Sequence, residues 1–543
     1  MAHRIFRKFE VLCLPFHASL LLFPPAIAAV FAGINWPLFN RLAFCYTTYM
    51  AALTVSVVAY RLSPFDPLYR YPGPFWGRTS MFCHATRSIG GGQAAHFRAL
   101  HDTYGDIVRI GPNHLSIRDP SLVGPILGAS GIPKGLTWKG AALTEANVPF
   151  IGIQDVEEHA RRRRAWNRGL GPAALKGYEH AMFSRVQQLV DLLEGQKGPL
   201  LLGKWIKYFA GRYDFMSDMF SGGSEQMCAG DRGNIWGLAD KGAEIAYFLG
   251  QIPWLGVYLG YVLGAAGPVR VVVEHCRKET ARRLARGTSS RDLLSYLILQ
   301  NNEDLPDQSP PLTHQLLNDS IVAIGAASET LSGALVSIFH CLLSNPEAYA
   351  ALQDEVDRFY PQGADACNTT HHRDMHYLTA VIHETLRLFP PAATSIPRQV
   401  PHDAATVVLG SVMLPPGTYV FLPPYVLHCD ARSFVFPDTF WPERWLVATF
   451  PGPSSGSEPA PDSDSRARFR FVHNGAAFIP FSHGPMGCAG KGLAMLEMRT
   501  VVCALVQRFK IRLEAPGRFP EESKGSYLTA NRLELPVVLE PRW

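Results

Sequence analysis

Two apolar stretches near the N-terminus constrain this chain more than anything else in it. Val11 to Ile34 contains no Asp, Glu, Lys or Arg, and neither does Ala43 to Tyr60, about 18 residues long, the lower length for crossing a bilayer core. Arg4, Arg7 and Lys8 precede the first run, Arg61 and Arg70 follow the second, and the connection between them holds only Arg41. By the positive-inside rule this suits a hairpin with both ends cytosolic. One spanning helix plus an interfacial segment fits as well, because Pro15, Pro24 and Pro25 weaken the first run. A cleaved signal peptide fits less well, since apolar sequence resumes beyond any plausible cleavage point. Residues 1–61 are therefore expected to form a membrane anchor of one or two transmembrane segments.

Residues 62–70 and the following Tyr71-Pro-Gly-Pro74 are proline-rich and read as a stiff linker holding a globular domain, 71–543, off the membrane. At 543 residues and 47% apolar, the chain can bury a large core, and its length by itself would suggest two or more domains. A balance of 51 Lys and Arg against 46 Asp and Glu, evenly spread, gives no footprint for nucleic acid. Ten cysteines lie far apart with no CxxC pair, which places the domain in a reducing compartment.

Helical composition covers Gln93 to Tyr104, most of Glu157 to Asn302, and the proline-free apolar segment Leu316 to Leu343, which reads as a buried central helix. Strand-like alternation appears at Asp106–Ile110, His114–Ile117, Thr406–Leu414 and Thr418–Leu422. The pattern predicts a mainly α fold with a small β subdomain. Pro451 to Ser465, rich in Pro, Ser, Gly and Asp, reads as a mobile surface insert.

The chemistry is concentrated in Phe481-Ser-His-Gly-Pro-Met-Gly-Cys-Ala-Gly490, a glycine-rich loop that opens the helix-forming run Lys491 to Lys510. A cysteine at a helix N-terminus meets free amide donors and the positive end of the helix dipole, both of which favour a thiolate. Flanking glycines let backbone approach a flat cofactor. The other nine cysteines read as ordinary buried thiols.

This loop resembles the haem-binding signature of the cytochromes P-450, Phe-x-x-Gly-x-Arg-x-Cys-x-Gly, with Phe481, Gly484, Cys488 and Gly490 in place and Met486 where the family carries a propionate-pairing arginine. Two further segments resemble the same family in the same order: Glu384 and Arg387, a Glu-x-x-Arg pair, and Pro437-Asp-Thr-Phe-Trp-Pro-Glu-Arg444, whose Arg444 would complete a structural triad. Ala326-Ala-Ser-Glu-Thr330 resembles the oxygen-activation motif, with Ala327 replacing the usual glycine, so that Glu329 and Thr330 are the implied proton relay. His159 and Arg163, one helical turn apart, resemble the pair that binds a haem propionate, and Arg398 a second propionate arginine. Arg161 to Arg164 read in part as a solvated basic face and in part as a docking face for an acidic reductase.

The resemblance runs from about Tyr71 to the C-terminus and overrides the two-domain expectation from length. It implies the cytochrome P-450 fold behind a membrane anchor, with heme b (iron protoporphyrin IX) held by Cys488 as the axial iron ligand. It further implies an NADPH- and O2-dependent monooxygenase on the cytosolic face of the endoplasmic reticulum, fed by NADPH-cytochrome P-450 reductase with cytochrome b5 as an optional second donor. The implied pocket residues are Ala323, Ala326, Ala393, Thr394, Ser395, Leu528 and Thr529, small and mostly apolar, for a compact lipophilic substrate. The helical middle, including Asp214 to Asp218 and Gln251-Ile-Pro-Trp254, resembles fungal microsomal members, for which terpenoid and other secondary-metabolite oxidation is a frequent role. Two alternatives stand: a haem-thiolate isomerase or dehydratase, and a non-catalytic haem- or lipid-binding membrane protein.

Overall fold

The computed structural model describes residues 2–31, 35–143, 148–212, 235–262, 267–285, 292–304, 314–449, 471–514 and 534–543. The insert between Pro451 and Ser465, the stretch Asp214 to Asp218, and the pocket candidates Leu528 and Thr529 lie outside them.

Leu14–Phe31 and Leu38–Leu62 are two helices long and apolar enough to cross a membrane, and they pack against each other as a hairpin. Pro24 and Pro25 sit inside the first without ending it. The helix His314–Ser344 is also long and apolar enough, but 71% of its apolar window is buried within the protein, so it is a core element.

That central helix organises the rest. Its flank packs against Pro346–Phe359, His376–Leu388 and Lys491–Arg508, and the shared apolar core includes Leu335, Phe339, Leu342, Leu352, Val381, Ile382, Val501 and Leu505. Helix Val156–Gly169 begins at Asp155, whose carboxylate accepts the Glu158 N–H at 2.7 Å, an N-cap that fixes where the basic run starts turning. Helix Gln93–Tyr104 ends at Gly105, whose φ of +97° suits glycine.

A four-stranded sheet flanks the helices in the order Ile107–Gly111, His114–Ile117, Tyr419–Phe421, Arg398–Gln399, with the middle pair parallel and the outer pairs antiparallel. Lys134 bridges to Arg398 at its edge. The expected strand 406–414 is a two-stranded hairpin, Val407–Leu409 with Val412–Leu414, turning at Gly410 with φ +59°. A third sheet, unexpected from the sequence, pairs Leu200–Leu201 and Phe509–Leu513 with Pro536–Pro541.

The proline-rich segment after the two apolar helices is not a free spacer. Asp66 forms a buried ion pair with Arg109 at 2.9 Å, Leu68 and Tyr71 join the core around Leu115 and Val420, and the Tyr71 hydroxyl donates to the Met413 carbonyl at 2.9 Å. Its prolines set an extended path, but its apolar side chains have a surface to bury against, and burial decides.

Candidate active site

The Glu-x-x-Arg helix His376–Leu388 buries both polar members completely. Arg387 donates to both Glu384 oxygens, at 2.9 and 2.8 Å, and Arg444 donates its Nε to Glu384 Oε1 at 3.1 Å. The Trp441 amide and the Trp445 indole N–H add bonds at 3.0 Å each. Burial alone would raise the Glu384 pKa, but the two guanidiniums bring it below the ordinary carboxylate value. The remaining arginine donors reach carbonyls of His428, Thr439 and Phe436 at 3.0, 3.1 and 2.9 Å, so the three sequence-distant residues clamp one loop.

His428 carries this clamp to the cysteine loop. Its Nε2 accepts the Ile479 N–H at 2.9 Å and its Nδ1 lies 3.2 Å from the Arg387 carbonyl, which fixes the tautomer with the proton on Nδ1. Burial pushes its pKa down to about 3, so the ring stays neutral. Nothing in the sequence distinguished this histidine from others.

Within the loop, Cys488 N–H donates to Phe481 O and Gly487 N–H to Gly484 O, both at 2.9 Å. Gly484 has φ +72°, and a Cβ there would come 2.1 Å from the Leu127 carbonyl, so its glycine is a steric requirement. Cys488 is solvent-accessible although protein surrounds most of it, so it faces an opening rather than the outer surface. The Gly490 and Lys491 amides and the charges of Arg163 and Lys491 favour the thiolate as expected, yet burial outweighs them and the thiol pKa is raised. A bound iron would replace the proton on this sulfur.

Arg163 donates to the Gly487 carbonyl at 2.6 Å, which ties helix Val156–Gly169 to the cysteine loop. His159 is buried, stacked on Phe150 with ring centroids 4.7 Å apart, and burial together with neighbouring Lys134, Arg163 and Arg398 pushes its pKa down to about 3. Arg398 is buried on its strand and points Nη1 at the Met486 sulfur, 2.8 Å away. Three basic groups thus converge beside the cysteine loop with no carboxylate paired to them among the described residues. Arg398, buried, and Arg163, half-buried, are cations that an anion would satisfy, with neutral His159 beside them as a hydrogen-bonding ring, and the propionates of haem fit that set.

The basic run is divided. Arg161 pairs with Glu158 at 2.7 Å, and Arg164 is exposed. Arg162 turns inward to a buried ion pair with Asp319 of the central helix, which removes it from the expected docking face. Asp319 also accepts the Phe150 N–H at 2.6 Å, so one carboxylate holds two elements of the site.

On the central helix, Gly325 and Ala326 are open to solvent while Ala323, Ser328 and Glu329 are buried. Thr330 donates to the Ala326 carbonyl at 2.7 Å, one turn back. Of the other pocket candidates, Ala393 is packed with Ala94, Tyr425 and Cys429 and so belongs to the core. Thr394 is bonded to the Tyr247 hydroxyl, which also reaches Gln93 Oε1 at 2.6 Å, and Ser395 has φ +64°. Tyr247 of helix Ile235–Gln251 escaped sequence reasoning for want of any motif around it.

A mainly helical fold in which a buried Glu-Arg-Arg triad is joined, through His428 and Ile479, to the segment entering a glycine-rich cysteine loop has the arrangement of a haem-thiolate protein. The family model for Cytochrome P450 matches residues 268–537. A Cytochrome P450 monooxygenase from Eupenicillium brefeldianum, named orf5, is 30% identical over 485 residues, covering 87% of this chain and 90% of that protein. The monooxygenase phqL of Penicillium fellutanum is 29% identical over 87% of this chain and 79% of its own. Tryprostatin B 6-hydroxylase of Aspergillus fumigatus is 26% identical over 98% and 90%. This chain belongs to the cytochrome P450 family, and it is an oxidoreductase.

Proposed function

We propose that the protein is a membrane-anchored monooxygenase that hydroxylates a small lipophilic secondary metabolite, terpenoids included, on the cytosolic face of the endoplasmic reticulum. The observation that carries this reading is the joining of the Cys488 loop to the Glu384 triad through His428. Cys488 would hold the haem iron, and His159, Arg163 and Arg398 the propionates. When bound, haem supplies the redox chemistry that cleaves O2 and places one of its oxygen atoms in a C–H bond. Electrons would come from NADPH through the membrane reductase, with cytochrome b5 as a second donor.

The chain's own contribution is proton control and positioning. Thr330 holds its hydroxyl at the solvent-open mid-helix site beside Ala326, and Glu329 precedes it as the acid that can recharge it. Ala323 and Ala326 keep that stretch of the helix small, and Tyr247 is bonded to Thr394. An isomerase of the same fold would need no external electrons. Membranes carrying the protein, a reductase and NADPH, incubated with a panel of lipophilic metabolites under labelled O2, test the reading: label in product supports it, and turnover without NADPH points to the isomerase.

A further inference from the structure

Asp319 lies on the central helix at spacings from Ala323, Ala326 and Thr330 that keep all four on one side, with Thr330 about 16 Å from it along the axis. It is 5% exposed, and both of its carboxylate oxygens are bonded. Oδ1 accepts the Phe150 N–H at 2.6 Å, and Oδ2 accepts from Nη2 of Arg162, itself buried on helix Val156–Gly169. Neither partner is near it in sequence.

The ring of Phe150 extends the reach of this pairing. It lies almost flat against His159, with centroids 4.7 Å apart and 21° between planes, and against Trp166, at 5.2 Å and 17°. The Arg163 guanidinium stands 5.9 Å from the same ring. His159, Arg163 and Trp166 form one stripe of their helix, so Phe150 packs along that stripe. Arg163 then carries the stripe to the cysteine loop through the Gly487 carbonyl at 2.6 Å. A continuous set of contacts runs from Asp319 to the residue before Cys488, and the charge-assisted bonds at its start fix direction as well as distance.

We infer that Asp319 is a positioning residue: it sets helix Val156–Gly169, and through Arg163 the Cys488 loop, against the part of the central helix that carries Ala326 and Thr330. The inference rests on the haem reading above. Asp319 acts through Arg162 and Phe150 rather than on the reacting atoms. A carboxylate kept only to stabilise the packed chain would behave differently, because replacing both members of a buried ion pair by neutral groups is often close to neutral in stability. The cysteine loop would then stay as it was.

Full-length, haem-loaded protein in detergent is compared with Arg162→Met/Asp319→Asn, in which asparagine keeps an acceptor for the Phe150 N–H and neither charge of the pair is left alone. Thermal midpoint, backbone hydrogen exchange and the ferrous carbon-monoxide spectrum are read on the same samples. The midpoint is expected to stay within about 4 °C of the parent's. Exchange should rise roughly tenfold in Val156–Gly169 and in Gly484–Gly490 and stay unchanged in His376–Leu388, and the thiolate band should decay several-fold faster. Arg163→Met alone should loosen Gly484–Gly490 to the same degree, and adding it to the paired variant should loosen that loop no further, because the route passes through Arg163. Should the paired variant not accumulate, Arg162→Lys, which keeps the charge and shortens the reach, serves with the same readouts. Unchanged exchange at Gly484–Gly490, or a rise spread evenly over the chain with a fallen midpoint, overturns the inference and leaves the haem reading intact. A parent protein without the thiolate band overturns both.

Discussion

The Tyr49 hydroxyl donates to the Leu20 carbonyl across 2.8 Å, and Leu20 is the residue whose helical partner four places on is Pro24, which has no N–H to give. The second apolar helix thus repairs the first. Tyr46 adds a second bond between the helices, to the Leu22 carbonyl at 2.8 Å. In a bilayer an unpaired carbonyl is costly, so these bonds favour the two helices crossing together. Tyr46→Phe with Tyr49→Phe is expected to weaken the hairpin by about 1–2 kcal/mol. The check is the fraction of chains with both ends cytosolic, read by glycosylation tags in microsomes; an unchanged fraction would mean apolar packing alone suffices.

Cys488→Ser should give a folded protein that lacks the red-shifted ferrous carbon-monoxide band of a thiolate ligand, because serine keeps the loop's backbone bonds and loses the sulfur. Persistence of that band in the variant would require another ligand.

For Thr330→Ala, product formation should fall by about a hundredfold while NADPH consumption continues and peroxide accumulates, the lower range of what a positioned proton donor contributes. The bond from Thr330 to Ala326 O shows the hydroxyl already committed within its own helix. Unchanged product per NADPH would assign it a structural role only.

Met486→Arg should quicken haem loss, because the new guanidinium would replace the thioether that accepts from Arg398 and stand among Lys134, His159 and Arg163. Apomyoglobin capture measures the rate. Slower loss would show that the patch has room for another cation.

Glu10, which precedes the first apolar helix, accepts the Tyr419 hydroxyl at 2.8 Å, and burial raises its pKa to about 7. The folded state holds its proton more tightly than the unfolded one. Its stabilising contribution is therefore fully present below about pH 4.5 and is lost as pH rises to about 7. Docking of the N-terminal segment on the domain should loosen over that window, seen as rising proteolysis near Phe9. Glu10→Gln should remove the dependence; a pH profile that survives the substitution would point to His17 or His402.

Some of this protein was written in short-range pattern. The central helix, expected over Leu316 to Leu343, spans His314–Ser344, and Gln93–Tyr104 falls where its composition put it, because apolar periodicity and capping act over a few residues. The loop holding Cys488, the pair of Glu384 with Arg387, and Arg444 were legible as motifs, since each is a local spacing tied to a chemical need. What the sequence did not carry is what lies between the motifs. Lys134 and Arg398 are 264 positions apart and meet through one rung of a sheet edge. His428 joins the triad to Ile479 by bonding backbone groups of two distant segments. Arg162 is an unremarkable member of a basic run until Asp319 draws it inward. Local propensity and spacing set the elements and name the reactive residues, whereas the pairing of buried charges depends on which distant surfaces burial brings together, and only the packed chain fixes that.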